Sequence, residues 1–191
     1  MLTTVRIAGL AAGFLFCAGA ASAGGFDSET VTQDANLADF KSVYVAPVEL
    51  DLKADGGGYG SSRERPVSAD DAAKKAADFH ADLVRAFDDF SRASAPGAGV
   101  LTIAATLTEL KSSRPTMADY DRNAGLSASS IYAGGASVEF DFSEAGAVLA
   151  EVSDEYETSL SDGRSRIGLW DDADRAFSSW ARRVADFVRE H

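Results

Sequence analysis

The chain has 191 residues, with 30 acidic against 18 basic, a formal charge of −12, one cysteine and two histidines. Such acidity argues against nucleic acid and anionic lipid as partners, because no basic stripe is available to replace condensed counterions. A lone cysteine rules out an internal disulfide, so an exported domain of this size must be held by its hydrophobic core.

The first segment is an address. Arg6 precedes a continuous apolar and small-residue run from Ile7 to Ala20, and Ala21-Ser22-Ala23 has the small-x-small pattern of a cleavage site. This is a secretory signal peptide, residues 1–23, with cleavage expected after Ala23 and a periplasmic destination that leaves outer-membrane association open. The apolar run is shorter than the roughly 20 residues that span a bilayer, so no transmembrane segment is expected. Cys17 follows Phe14, Leu15 and Phe16, and bulky Phe16 is unsuited to a lipid-attachment motif, so a lipid anchor is not expected. Loss of Arg6 with the leader leaves 17 basic against 30 acidic residues over positions 24–191, a formal charge of −13. Those 168 residues are expected to form one α/β domain, with its core at about 40–190.

Residues 42–50, "SVYVAPVEL", form the first predicted strand, in which Pro47 lacks a ladder donor and marks an edge or a bulge. After the loop "DGGGYGSS" at 55–62 comes a helix in which Ala72, Ala76, Phe79, Leu83, Phe87 and Phe90 recur at three and four, with Ser68 and Asp71 placed as a capping box. Residues 101–110 alternate, setting Leu101, Ile103, Ala105 and Leu107 on one face and threonines on the other. Residues 136–142 alternate again, and the strand after "SEAG" has the inward set Val148, Ala150, Val152 and Tyr156. A three-residue loop Glu144-Ala145-Gly146 would pair Phe142 with Val148, Phe140 with Ala150 and Val138 with Val152. That register places Glu139 opposite Glu151 on the outer face. A C-terminal helix carries Ala173, Phe177, Trp180, Ala181, Val184, Phe187 and Val188, and Trp170 just before it is expected to pack as a staple rather than stand exposed.

The order β-α-β-β-β-α, with one apolar stripe per helix, implies an α/β (α+β) two-layer sandwich: a four-stranded mixed sheet with two helices on one face and a polar face opposite. The first strand-helix-strand unit makes strands one and two parallel. The phrases "FKSVYVAPVEL", "DLVRAF", "GVLTIAATLTELKSSRP", "GGASVEFDFSEAGAVLAEVSDEY" and "WDDADRAFSSWARRVADFV" resemble domain of unknown function 3313, a family of bacterial envelope proteins often labelled lipoproteins. The resemblance implies an envelope location and supplies no catalytic residue.

Chemistry is sparse. Asp119, Asp121 and Asn123 have the alternate spacing of a calcium loop, but Ala124 stands where glycine is wanted and Ser130 where a bidentate glutamate belongs, so no metal site is expected. "GGGYG" follows an acidic segment instead of opening a helix, as a phosphate loop would. His80 has only Asp78 and Asp82 nearby, two positions away on a helix and so facing elsewhere. No catalytic residue and no cofactor is assigned. The function expected is a non-catalytic envelope accessory protein that binds another envelope protein. The alternatives are a hydrolase using paired carboxylates and a calcium or small-ligand carrier. The candidate binding residues are Glu139, Asp141, Glu151 and Glu155 on the outer face, with Tyr120 and Tyr132 from the 111–135 loop.

Overall fold

A computed structural model describes residues 25–52, 67–122, 125, 127, 130–159 and 167–191. The leader at 1–23, Cys17 and "DGGGYGSS" lie outside the described residues. The elements are β1 (Ser28–Val31), β2 (Ser42–Val45), β3 (Glu49–Leu50), α1 (Ala69–Ala86), β4 (Ser91–Arg92), β5 (Val100–Lys111), α2 (Met117–Arg122), β6 (Gly135–Glu144), β7 (Ala147–Glu157) and α3 (Asp171–Glu190).

The α+β class holds, and among the described residues there are two long helices and a sheet of seven strands, not four, in the order β1-β7-β6-β5-β2-β4 with β3 also on β5. Two of the extra strands, β1 and β4, have four residues and two, too few for a period of two to declare itself. The predicted strand 42–50 is broken at Pro47 into β2 and β3, both parallel to β5. Val45 pairs with Ile103 and Glu49 with Thr106, so one residue is extruded around the proline, as its missing donor requires.

Helix α1 begins where Ser68 Oγ accepts the Asp71 N–H at 3.1 Å, and it buries Ala72, Ala76, Phe79 and Leu83. Helix α3 buries Phe177, Trp180, Val184 and Val188. Phe79 and Phe177 stack at 4.6 Å between the helices, over Leu101, Ile103, Leu107, Phe140 and Phe142 from the sheet. Trp170 is buried in the same core, so it packs inward as the sequence suggests. At the end of β5, Asp172 is fully buried: Ser113 Oγ donates to its Oδ2 at 2.9 Å and accepts its N–H at 3.1 Å. Gly134 closes this corner, since a Cβ there would stand 2.5 Å from Ser113 Oγ.

The β6–β7 hairpin corrects the predicted register. Its turn has two residues, Ala145 (φ 47°) and Gly146 (φ 87°), the paired positive values of a type I′ turn, with Glu144 opposite Ala147. A shift between Phe142 and Ser143 then makes Leu149 the extra residue, so Phe142 faces Ala150, Phe140 faces Val152 and Val138 faces Asp154. The bulge restores the apolar match that a two-residue turn alone would have lost. Val148, expected inside, is 50% exposed. Because Ala145 occupies a left-handed conformation that a Cβ disfavours, Ala145→Gly is expected to raise stability by about 0.5–1 kcal/mol, measured as a urea midpoint shift without a change of slope.

Candidate functional site

Both long helices pack on one side of the sheet, and the opposite side carries the candidate carboxylates. Cross-strand pairing arranges that outer face in rows. One row reads Thr30, Glu151, Asp141, Ala104, and the next reads Ser28, Ser153, Glu139, Thr106. Beyond them come Glu155, Ser137, Glu109 and then Glu157, Gly135, Lys111. Glu139 therefore faces Ser153, not Glu151 as the sequence register had it, and the directly opposed like-charged pair is Asp141 with Glu151. Such a pair is unfavourable on a sheet.

Ser28, Thr30, Glu139, Asp141, Glu151 and Ser153 line a shallow depression of about 220 Å³. Its three carboxylates are exposed. Lys111 lies at the far end of the face, with Nζ 3.0 Å from Glu109 and 3.6 Å from Glu157. Burial works against its charge, but the hydrogen bond to Glu109 and the fields of Glu109, Glu157 and Glu155 prevail and hold the ammonium above the usual lysine range. Its positive charge is thus matched by its own neighbours and does not offset the carboxylates in the depression.

Of the predicted residues, Glu139, Asp141 and Glu151 meet in the depression, and Glu155 sits one row away. Tyr120 and Tyr132 lie beyond the last row: Tyr132 donates its N–H to the carbonyl of Ser113, and Tyr120 lies on α2. Asp119 and Asp121 also fall on α2, while Asn123 is outside the described residues. Among the described residues no group of three or more histidines, cysteines or carboxylates is placed to hold a metal ion. His80 lies on α1, in the helical layer, with Nε2 3.3 Å from the Val45 carbonyl.

The wall of the depression depends on a residue not singled out in the sequence. Asp154, a β7 residue with its side chain buried on the inner face, accepts from Trp180 Nε1 at 2.5 Å, Arg183 Nη1 at 2.7 Å and the Asp27 N–H at 3.1 Å. Asp27 Oδ2 in turn accepts the Glu155 N–H at 2.9 Å. The Arg183 guanidinium lies 4.3 Å over the Phe26 ring and donates to the Gly25 carbonyl. These contacts hold residues 25–27 against the core and deliver β1, with Ser28 and Thr30, to the rim of the depression. Asp154 shares the parity of Ala150 and Val152, and that was the signal available.

The molecule is thus a two-layer α+β protein with one open, acidic sheet face. It belongs to the family described as Protein of unknown function (DUF3313), whose model matches residues 29–184. Among solved structures it is similar to a PelC dodecamer from Paraburkholderia phytofirmans (13% identity, 82% of this chain and 97% of that one, TM-score 0.44). It is also similar to a minor lipoprotein from Acinetobacter baumannii (10% identity, 79% and 92%, TM-score 0.33). A Xanthomonas campestris protein of family DUF330 aligns at 15% identity over 83% and 85%, with a TM-score of 0.35. The comparison with curated proteins found no match. Among the described residues no helix is long and apolar enough to cross a membrane.

Replacing Arg183 by Met leaves Asp154 without its cation. The expected loss is about 3 kcal/mol in urea denaturation, the low end for breaking a buried pair because the arginine side chain keeps 27% exposure. Amide exchange at Ser28 and Thr30 should quicken with it.

Proposed function

We propose that the chain is an exported, non-catalytic accessory protein of the cell envelope that docks a basic partner protein through the open face of its sheet. The observation that carries this is the gathering of Glu139, Asp141 and Glu151 in one depression, with the nearest lysine of the face already matched by flanking glutamates. Like charges set opposite each other on a strand pair oppose folding slightly, and a cationic partner converts that repulsion into attraction. Water and salt screen exposed charges over about 8–10 Å, so such docking is sensitive to ionic strength. A hydrolase or a small-ligand carrier would draw on enclosure to desolvate its ligand, whereas a shallow open surface suits a macromolecule. The envelope location rests on the leader pattern at 1–23.

Two measurements test this reading. The Glu139→Lys, Glu151→Lys double variant should keep its urea midpoint within about 1 kcal/mol of stability while losing salt-sensitive crosslinks to its partner in envelope extract. Crosslinks retained at both low and high ionic strength would reduce the face to solvated surface. Intact mass of the native protein should correspond to a chain starting at Gly24, and a diacylglycerol adduct on Cys17 would overturn the expected processing.

A further inference from the structure

The two edges of the sheet are built differently. At the β2/β3 edge the ladder is obstructed: Pro47 has no N–H, His80 Nε2 occupies the Val45 carbonyl, and β4 is a two-residue strand whose Arg92 turns back to Val84 and Asp88. Those are ordinary devices against adding a strand. At the other edge β1, Ser28–Val31, contains no proline, lysine or arginine. Thr32 donates to Leu149 at 2.8 Å, so by antiparallel alternation Thr30 and Ser28 face β7, while the N–H and C=O of Glu29 and Val31 point away from the sheet. Among the described residues no backbone hydrogen bond reaches that outer edge. The Glu29 carboxylate, on the inner side of the strand, is turned to the Phe26 N–H at 2.9 Å and does not guard the rim.

This open edge borders the acidic depression directly, because Ser28 and Thr30 are part of its lining. We infer that the partner segment binds as an added β-strand along β1, in extended conformation, with lysine or arginine at alternate positions on the outer face. Adjacent strands lie about 4.8 Å apart, so a basic residue beside Thr30 is roughly 10 Å from the Glu151 backbone, a gap its own stem and the glutamate side chain close together. Backbone pairing to Glu29 and Val31 gives the register, and the carboxylates select the alternating charge. The inference rests on the docking role proposed above and specifies its geometry.

The probe is a blocked heptapeptide of alternating valine and lysine, with a peptide of equal composition in which the lysines are contiguous as its control. On saturation with the alternating peptide, amide exchange at Glu29 and Val31 should slow by about tenfold or more, while Thr30, already bonded to β7, changes little. The contiguous peptide should bind about tenfold more weakly, as should the Val31→Pro variant, which removes an outward N–H without touching the ladder to β7. The exchange measurement on the unaltered protein stands even if that variant misfolds. Unchanged exchange at Glu29 and Val31, or equal affinity for the two peptides, overturns strand addition. If Glu139→Lys, Glu151→Lys still abolishes salt-sensitive partner crosslinks in that case, the acidic face remains the docking site and only the strand geometry fails. Slowed exchange that is indifferent to those charge reversals overturns the requirement for a basic segment.

Discussion

The carboxylate of Asp154 is the constraint on which both sides of the sheet depend. It lies opposite Val138 among inward residues, where an unpaired charge would be prohibitive, and it is accommodated because an indole N–H, a guanidinium and a backbone amide converge on it. Its three donors come from α3 and from the segment preceding β1. One buried group therefore joins the C-terminal helix, the central hairpin and the N-terminal strand, elements remote in sequence. The aromatic cluster around Phe79, Phe177 and Trp180 supplies the apolar area, and Asp154 fixes how the helix is turned upon it.

On the outer face the physics is reversed. Carboxylates there keep their water, so their mutual repulsion is weak enough for the core to tolerate. Asp141 and Glu151 remain directly opposed, with the serines and threonines around them short enough to leave the depression open. The only lysine on these rows, Lys111, is matched by its own glutamates at the far end.

Much of this was legible because long periodic segments average over many positions. The inward set Leu101, Ile103, Ala105 and Leu107 and the stripes of both long helices needed only the period of the pattern. The parallel relation of β2 and β5 followed from the intervening helix. Three things escaped, each for a local reason. β1 and β4 exist by pairing with longer neighbours and have no pattern of their own. The hairpin offered two ways of matching apolar faces, a longer loop or a tight turn with a bulge, and Ala145-Gly146 lacks the asparagine that signals the tight turn. Parity placed Asp154 inside, but the partners that make this tolerable come from 26 and 29 residues further on and from 127 residues before, beyond the reach of any local pattern. For the candidate site, the same parity grouped Glu139, Asp141, Glu151 and Glu155 on one face, whereas the β1 wall of the depression gave no sign.

That wall makes the surface contingent on the interior. β1 is a four-residue edge strand that among the described residues pairs only with β7, which on its ladder would place it among the first elements to open. What holds it is upstream: Phe26 packs edge-on against Phe140 and Phe187, and Arg183 closes over its ring. The strand's attachment is thereby raised from that of a fraying edge toward that of the core, while among the described residues no backbone group pairs with its outward N–H and C=O groups. An edge both firmly seated and unblocked is preorganised, so a partner strand that pairs with it would forfeit little ordering entropy on the protein's side. Because the same buried carboxylate seats β1, changes at Asp154, Trp180 or Arg183 act on the face through the position of Ser28 and Thr30, although none of the three lines the depression.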